Sequence, residues 1–475
     1  MIQGRSVKIF SVPSLLLFLA ATALAQPKPQ THPSNTTESL RGASAVSQDI
    51  AWASGTHGTY LRTTDAGRTW TAAQVPDAAT LDFRAVVAFS ADEAFLMSAG
   101  PGDQSRIYHT TDAGKTWQLQ FTNKNPKGFF DSMLFWDRTH GIVLGDPIPD
   151  ETDKESSKES GQLKFELLQT TDGQTWTPLL PANLPPAIEG EGAFAASNSC
   201  LAILPSPSAL TSRSTPTSSS TPTPMPILTS ELLLPTFSSV IPSAFSSVIP
   251  SEARNLGFAG ATNTAGRIAP PPAQPWKSDA SAPREPSEKD AASDPDPNIW
   301  FATGGKAARV FHSPDRGQTW QVFNTPIVHG PDSAGIFSIS FRDPLHGVIA
   351  GGDYKHPDQD GPNLAFTNDG GQTWTLSEIH PQAYFSAAAY DRRSNDRHSN
   401  DRRIKNPNKK DLDDNQAQVR LFIVGPKFVF DFRPPKNPTR ISPSKKSGIQ
   451  FNAASPFPQG GALIVGPKGS IAIIP

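Results

Sequence analysis

The sequence predicts an all-β fold, a seven-bladed β-propeller with four-stranded antiparallel blades and two disordered, low-complexity insertions. Three observations predict it. A short motif running from Thr or Ser through Asp to Trp recurs five times. A longer unit of four short strands recurs around the copies. Once the low-complexity stretches are set aside, about 326 of the 475 residues remain, roughly 47 for each of seven units, which is a propeller period.

Composition narrows the function classes. The chain has 47 prolines, a single cysteine and a net charge of −2. So much proline opposes long helices. One cysteine, Cys200, permits no internal disulfide and no cysteine-based zinc or iron–sulfur site. A near-neutral chain lacks the basic surface of a general nucleic-acid binder. No phosphate-cradling glycine loop and no His pair at metal spacing is present, so no cofactor and no metal is expected.

Residues 1–25 have the form of a signal peptide. Arg5 and Lys8 give the positive start, Pro13 to Ala21 the apolar stretch, and Ala23-Leu24-Ala25 the small-residue cleavage site. The apolar stretch is about half of the ~20 residues that a membrane span needs. The expectation is an exported, periplasmic or secreted monomer without a membrane span after cleavage. Residues 26–475 are expected to form a single propeller domain, interrupted by insertions at 201–297 and 391–416.

The five motif copies are Thr63-Thr-Asp65-Ala-Gly67-Arg-Thr69-Trp70, Thr110-Thr-Asp112-Ala-Gly114-Lys-Thr116-Trp117, the shorter Thr170-Thr-Asp172-Gly173-Gln-Thr175-Trp176, Ser313-Pro-Asp315-Arg-Gly317-Gln-Thr319-Trp320 and Thr367-Asn-Asp369-Gly-Gly371-Gln-Thr373-Trp374. Successive aspartates lie 47, 60, 143 and 54 residues apart, a period near 50 with one overlong gap. A carboxylate accepting turn amides, a glycine free to take positive φ, and an indole that buries a large area describe a hairpin turn between two strands. These aspartates are therefore read as structural.

The units start near residues 39, 82, 129, 192, 335, 384 and 449; the last two lack the motif. The final unit supplies only about three strands, and an open blade would leave an unpaired edge. Residues near 28–40 are expected to complete it. Gly192 to Ser197 is read as the first strand of the fourth unit, Asn298 to Thr303 as its second, and Tyr384 to Ala389 with Val419 to Val424 as the same pair in the sixth. Both insertions then fall between first and second strands. Residues 201–297 hold 17 prolines and a tandem copy, Phe237 to Ser243 and Phe245 to Ser251. The second insertion duplicates Ser394-Asn-Asp-Arg-His398 as Ser399-Asn-Asp-Arg-Arg403. Such composition marks disorder. Insertions collect where little else happens, so the ring face opposite the motif turns is the candidate functional face.

The motif is similar to the Asp-box, or BNR repeat. The repeating units resemble the photosystem II stability/assembly factor-like family of exported propellers, through the boxes and phrases such as Asp82-Phe-Arg84 and Phe194-Ala-Ala-Ser-Asn-Ser199. That resemblance implies a non-enzymatic binding or assembly scaffold for a protein. The boxes also occur in sialidases and glucan-cleaving glycoside hydrolases. Asp82-Phe-Arg84-Ala lacks the Ile-Pro of a sialidase, and no tyrosine sits beside a glutamate in a suitable phrase. A glycosidase working with two carboxylates stays open.

Candidate site residues follow from strand position. Asp146 and Asp353 end the second strands of two similar units, and Asp131 and Glu191 begin first strands. Arg84 sits on another first strand and Arg342 ends one. All six are expected at one channel mouth, binding a protein or a polar or carbohydrate ligand. In a hydrolase, two of the four acids would be catalytic.

Overall fold

Each copy of the recurring motif closes the outer hairpin of a blade with one repeated set of hydrogen bonds. The computed structural model describes residues 29–149, 162–204, 297–378, 383–391, 420–433, 439–441 and 450–475. The expected signal peptide, both tandem duplications and residues 205–296 and 392–419 lie outside the described residues. In the first copy the Thr63 hydroxyl donates to Asp65 Oδ1 at 2.9 Å. The Thr69 N–H and hydroxyl donate to the two Asp65 oxygens at 2.9 and 2.6 Å. The Gly67 N–H returns to Thr63 Oγ1 at 3.1 Å. The same set recurs at Asp112, Asp315 and Asp369. In the shortened copy the Gln174 and Thr175 N–H groups serve Asp172. Donors to the charged form hold a carboxyl low; those from Thr69 keep Asp65 at about 2, and those from Thr175 and Gln174 keep Asp172 at about 2.

The hairpins belong to seven four-stranded antiparallel blades. Blade 1 is Leu40–Ala45, Ala51–Gly55, Thr59–Thr63 and Thr71–Gln74; blade 2 is Asp82–Ala88, Ala94–Ala99, Arg106–Thr110 and Gln118–Thr122. Blade 3 is Phe130–Phe135, Gly141–Pro149, Leu163–Thr170 and Thr177–Pro178; blade 4 is Leu201–Ile203, Ile299–Ala302, Arg309–Ser313 and Gln321–Asn324. Blade 5 is Ala334–Phe341, Gly347–Asp353, Leu364–Thr367 and Thr375–Leu376; blade 6 is Ala387–Tyr390, Leu421–Gly425, Phe428–Phe432 and Thr439–Ile441. Blade 7 is Ala453–Pro456, Ala462–Gly466 and Ser470–Ile474, and its fourth strand is Gln30–Thr31 from the other end of the chain. Gln30 pairs with Ile473 and Thr31 with Ala472, which closes the ring as the incomplete last unit requires.

The core is divided the same way. Seven apolar clusters each join two neighbouring blades. The motif tryptophan always packs back onto the preceding blade: Trp70 onto blade 7, Trp117 onto blade 1, Trp176 onto blade 2, Trp320 onto blade 3 and Trp374 onto blade 4. The motif glycine packs the same way in four copies, while Gly173 of the shortened copy meets Arg138 of its own blade. A Cβ on Gly114 (φ +83°) would come within 2.6–2.8 Å of the Tyr60 ring and hydroxyl in blade 1. Here positive φ and close approach both require glycine.

Blade 4 departs from expectation. The stretch Gly192 to Ser197 is not its first strand. Glu191–Gly192 pairs with Gly304–Gly305, and Leu201–Ile203 pairs with Ile299–Phe301. Residues 193–200 leave the ladder between these two pieces. The three-residue strand Leu201–Ile203 therefore belongs to the ring, although composition assigns it to the insertion. It is buried on both sides, against Phe301 and Trp320 in one cluster and Trp300 and Ile336 in the next.

Two predictions follow from this packing. Ile203 and Ile299 are paired neighbours, so replacing 205–296 with a short Gly/Ser turn should leave the melting temperature within about 3 °C, whereas a deletion reaching back to 201 should prevent cooperative melting. Gly114→Ala should cost about 1–3 kcal/mol in urea denaturation, because strain and overpacking add.

Candidate binding site at the channel mouth

The innermost strands line the channel, and a repeated bulge decides what they present to it. In blades 1, 2, 3 and 5 the register slips by one residue, leaving Arg41, Arg84, Asp131 and Phe337 as the extra residue. Blades 6 and 7 place Ser386 and Asn452 equivalently. The Ser386 N–H bonds the Val424 carbonyl although Ala387 already faces Val424, and Asn452 does the same at Val465. A bulged residue drops out of the in–out alternation that buries its neighbours. The residue before each one is fully buried and apolar: Leu40, Phe83, Phe130, Ile336, Phe385 and Phe451.

In blade 4 the single extra residue is replaced by the whole segment 193–200, which acts as a strap across the channel. The Arg84 guanidinium of blade 2 donates to the Ala195 carbonyl at 3.0 Å. The Ser197 hydroxyl donates to the Ser386 carbonyl of blade 6 at 2.7 Å. The Asn198 amide pairs with both backbone groups of Met133 in blade 3, at 2.7 and 3.0 Å. The Ile339 N–H of blade 5 donates to the Ser199 carbonyl at 2.7 Å. Phe194 stacks on Phe337 with centroids 4.1 Å apart and planes 4° from parallel. Asn198 takes φ of 59°, a conformation asparagine tolerates better than most residues. Cys200 is fully buried at the end of the strap, and burial pushes its thiol well above the ordinary range.

The strap governs the acids. Asp131 is 1% exposed, and the Ala195 N–H donates to it. Burial, and then the charge of Asp146, push its carboxyl well above the usual range against the pull of Arg84. Its Oδ2 is buried without a hydrogen-bond partner. Asp146 does not end its strand. It is itself the extra residue of a bulge between Gly145 and Pro147, and the strand runs on to Pro149. Its Oδ1 accepts the Ala193 N–H at 3.0 Å. Burial raises its carboxyl to about 6, with that hydrogen bond opposing.

The other expected residues are engaged elsewhere. The Glu191 side chain is fully buried, with Arg309 Nε at 2.8 Å, a second Arg309 nitrogen on its other oxygen, Thr303 Oγ1 at 2.6 Å and the Ile188 N–H at 2.8 Å. Asp353 holds His356 Nδ1 at 2.7 Å and the Lys355 N–H at 2.9 Å. Burial pushes Asp353 up, but His356, Ser333 and the Lys355 amide outweigh it and leave the carboxyl low. Arg342 is not at the mouth. First strands run from the mouth towards the motif turns, so the end of one lies on the far face, where Arg342 sits 3.2 Å from Asp343.

Around the mouth, Arg41 joins the Arg84–Asp82 pair, with Asp82 oxygens 3.8 Å from Arg41 and 2.9 Å from Arg84. Burial lowers the Arg41 pKa, and the Asp82 charge opposes that. Tyr354 and Tyr384 make T-shaped contacts with the Phe337 ring. Between blades 3 and 4 a cavity of about 400 Å³ opens, lined by Asp146, Pro147, Gly192, Phe194, Gly305 and Asp332 among others. Sequence reasoning missed Arg41, Phe337 and the strap. Aligning the units on their buried apolar residue, as Leu40-Arg41, Phe83-Arg84, Phe130-Asp131 and Ile336-Phe337, is the signal that exposes the ring. Among the described residues no group of three or more metal-ligating side chains is assembled, and no helix is long and apolar enough to cross a membrane.

No family model matches the chain, and no curated protein sequence matches it. Among solved structures it is similar to YCF48 bound to D1 peptide, with 13% identity and a TM-score of 0.50 over 96% of this chain and 99% of that one. It is also similar to virginiamycin B lyase from Staphylococcus aureus, with 9% identity and a TM-score of 0.49 over 94% and 98%. An ancestral GH74 enzyme gives 9% identity and 0.46 over 94% of this chain and 46% of that one. These likenesses are of fold.

The raised carboxyl of Asp146 has a consequence for stability. A group whose pKa is higher folded than unfolded costs stability once pH rises through that interval. Asp146→Asn keeps the acceptor for Ala193 and removes the charge. It should stabilise the ring by about 1–2 kcal/mol above pH ~6 and have little effect below pH ~4, measured by denaturation across that range.

Proposed function

We propose that the protein is an exported, non-enzymatic binding scaffold whose channel mouth receives a protein segment or another polar ligand. One observation carries the reading. Of the four candidate acids, Asp146 alone lines the open cavity with a carboxyl not already taken by a cation. Glu191 is spent on Arg309, Asp353 is held by the His356 ring and the Lys355 backbone N–H, and Asp131 is sealed behind the strap. Glycosidic hydrolysis by the usual route needs two carboxyl groups flanking one bond in a cleft. A mouth with one available carboxyl, two arginines and an aromatic group suits recognition better. YCF48, a ring of the same fold, is seen with a D1 peptide, which supports the idea that such a ring can hold a protein segment. The leader-like residues 1–25 support export.

Glycoside hydrolysis is the competing reading, and the raised carboxyl of Asp146, suited to a general acid, is the observation in its favour. Two measurements separate them. A photo-crosslinking residue at Tyr354, half-exposed at the mouth, should capture a defined partner from the exported fraction. A panel of glucans and sialosides should show no turnover. Turnover that disappears in Asp146→Asn would establish hydrolysis and sink the scaffold reading.

A further inference from the structure

The cavity between blades 3 and 4 has a chemistry of its own, distinct from the arginine side of the mouth. Its walls are largely backbone. A Cβ on Gly192 would stand 2.8 Å from Asp146 Oδ1, and one on Gly304 would stand 2.1 Å from the Phe194 ring. Gly305 and Gly190 take φ of +80° and +77°. These glycines leave the carboxyl and the ring as the side chains that shape the pocket. One face of Phe194 is used by Phe337, and its remaining, half-buried surface lines the cavity beside Pro147. Glu191 contributes only backbone here, because its carboxylate is turned into Arg309. Asp332 stands exposed at the rim. Behind the strap, Asp131 Oδ2 is fully buried without a hydrogen-bond partner, and the charge of Asp146 helps to push the Asp131 carboxyl up. The Asp146 and Asp332 carboxylates on the lining favour a positive charge in the pocket. Among the described residues Lys127 is the cation on the lining, exposed at the rim, and Lys306, also exposed, lays its alkyl stem beside Gly190.

We propose that this cavity takes one cationic side chain, a lysine or arginine, from an extended segment of the partner. The alkyl stem lies along Pro147 and the Phe194 ring. The charged head meets Asp146 Oδ2, with Asp332 adding attraction from the rim. Charge-assisted hydrogen bonding and the aromatic face act on the same group. The inference rests on the scaffold reading above and names the chemistry that the mouth selects.

Burial raises the Asp146 carboxyl and the Ala193 N–H opposes it; the charged and titratable groups around it are Asp131 behind the strap, Lys127 and Asp332 on the lining, and Lys306 beside Gly190. With its carboxyl near 6 in the free protein, Asp146 loses its charge in mild acid, and the preference for a cation goes with it.

The test uses the folded protein and a set of nonapeptides alike except at the central residue: lysine, arginine, acetyl-lysine, citrulline or glutamate. Binding is measured by fluorescence anisotropy. At pH ~7.5 the lysine and arginine peptides should bind about tenfold or more tighter than acetyl-lysine and citrulline, the ratio expected when one charged contact is lost. The preference should vanish at pH ~5 and in Asp146→Asn, and should fall about two- to threefold in Asp332→Asn. Denaturation confirms that each variant is folded. Equal binding of lysine and acetyl-lysine, or a lysine preference that survives in Asp146→Asn, overturns this inference while the scaffold reading stands. If no peptide binds at all, this inference falls; the scaffold reading falls with it only when Tyr354 also captures no partner.

Discussion

A blade of four short strands is too small to bury its own apolar faces, and everything else in this protein depends on that. Each sheet has two faces to cover, and the covering is done by its neighbours, so the seven apolar clusters lie between blades and not within them. The motif turn is the device that makes this work in five of the blades. Its carboxylate fixes the hairpin, its glycine in four of the five copies lets the hairpin touch the preceding blade, and its tryptophan packs onto that blade. Blades 6 and 7 lack the turn and solve the same problem differently. Phe428, Phe430 and Phe432 fill the boundary between blades 5 and 6, while mostly small and aliphatic residues fill the boundary between 6 and 7.

What could be read from the sequence follows from this division. The motif is local, so its hydrogen bonds, its glycine and its strands were legible residue by residue. The missing fourth strand of blade 7 was legible as an arithmetic deficit, and Gln30–Thr31 fills it. The strap was not legible. Phe194-Ala-Ala-Ser-Asn-Ser199 has the look of a strand, and the bonds that hold it elsewhere come from Arg84, Met133, Ile339 and Ser386 on four other blades. No local pattern encodes such contacts. The start of the first insertion is hidden in the sequence for a related reason. Leu201–Ile203 is only three residues long, and the proline-rich composition that follows swamps it.

The site shows the same split. Asp131, Asp146 and Arg84 could be placed at the mouth from strand order alone, because a first-strand start and a second-strand end share a face in any antiparallel blade. Their states could not. Asp131 is buried only because the strap covers it, and Glu191 is neutralised by Arg309, more than a hundred residues away in sequence. Arg342 lies on the far face because it follows the end of a first strand, and the two ends of a strand belong to opposite faces of the ring. A sequence reports which residues are near one another along a strand. Desolvation and pairing are properties of what packs on top.

The pairing of Gln30 with Ile473 joins positions 443 residues apart in the chain. Closing so long a loop carries a larger entropic cost than forming any hairpin within a blade, and contacts of such high order form late. Until it forms, the outer edge of the last blade offers open backbone groups, with Ile473 on the strand that carries them, to any passing strand. The ring therefore behaves as a clasp. Six blades can stack as they are made, but the protein becomes a closed object only when the strand Gln30–Thr31 finds Ser470–Ile474, and an unclasped molecule is the form that a protease or an aggregating neighbour would meet.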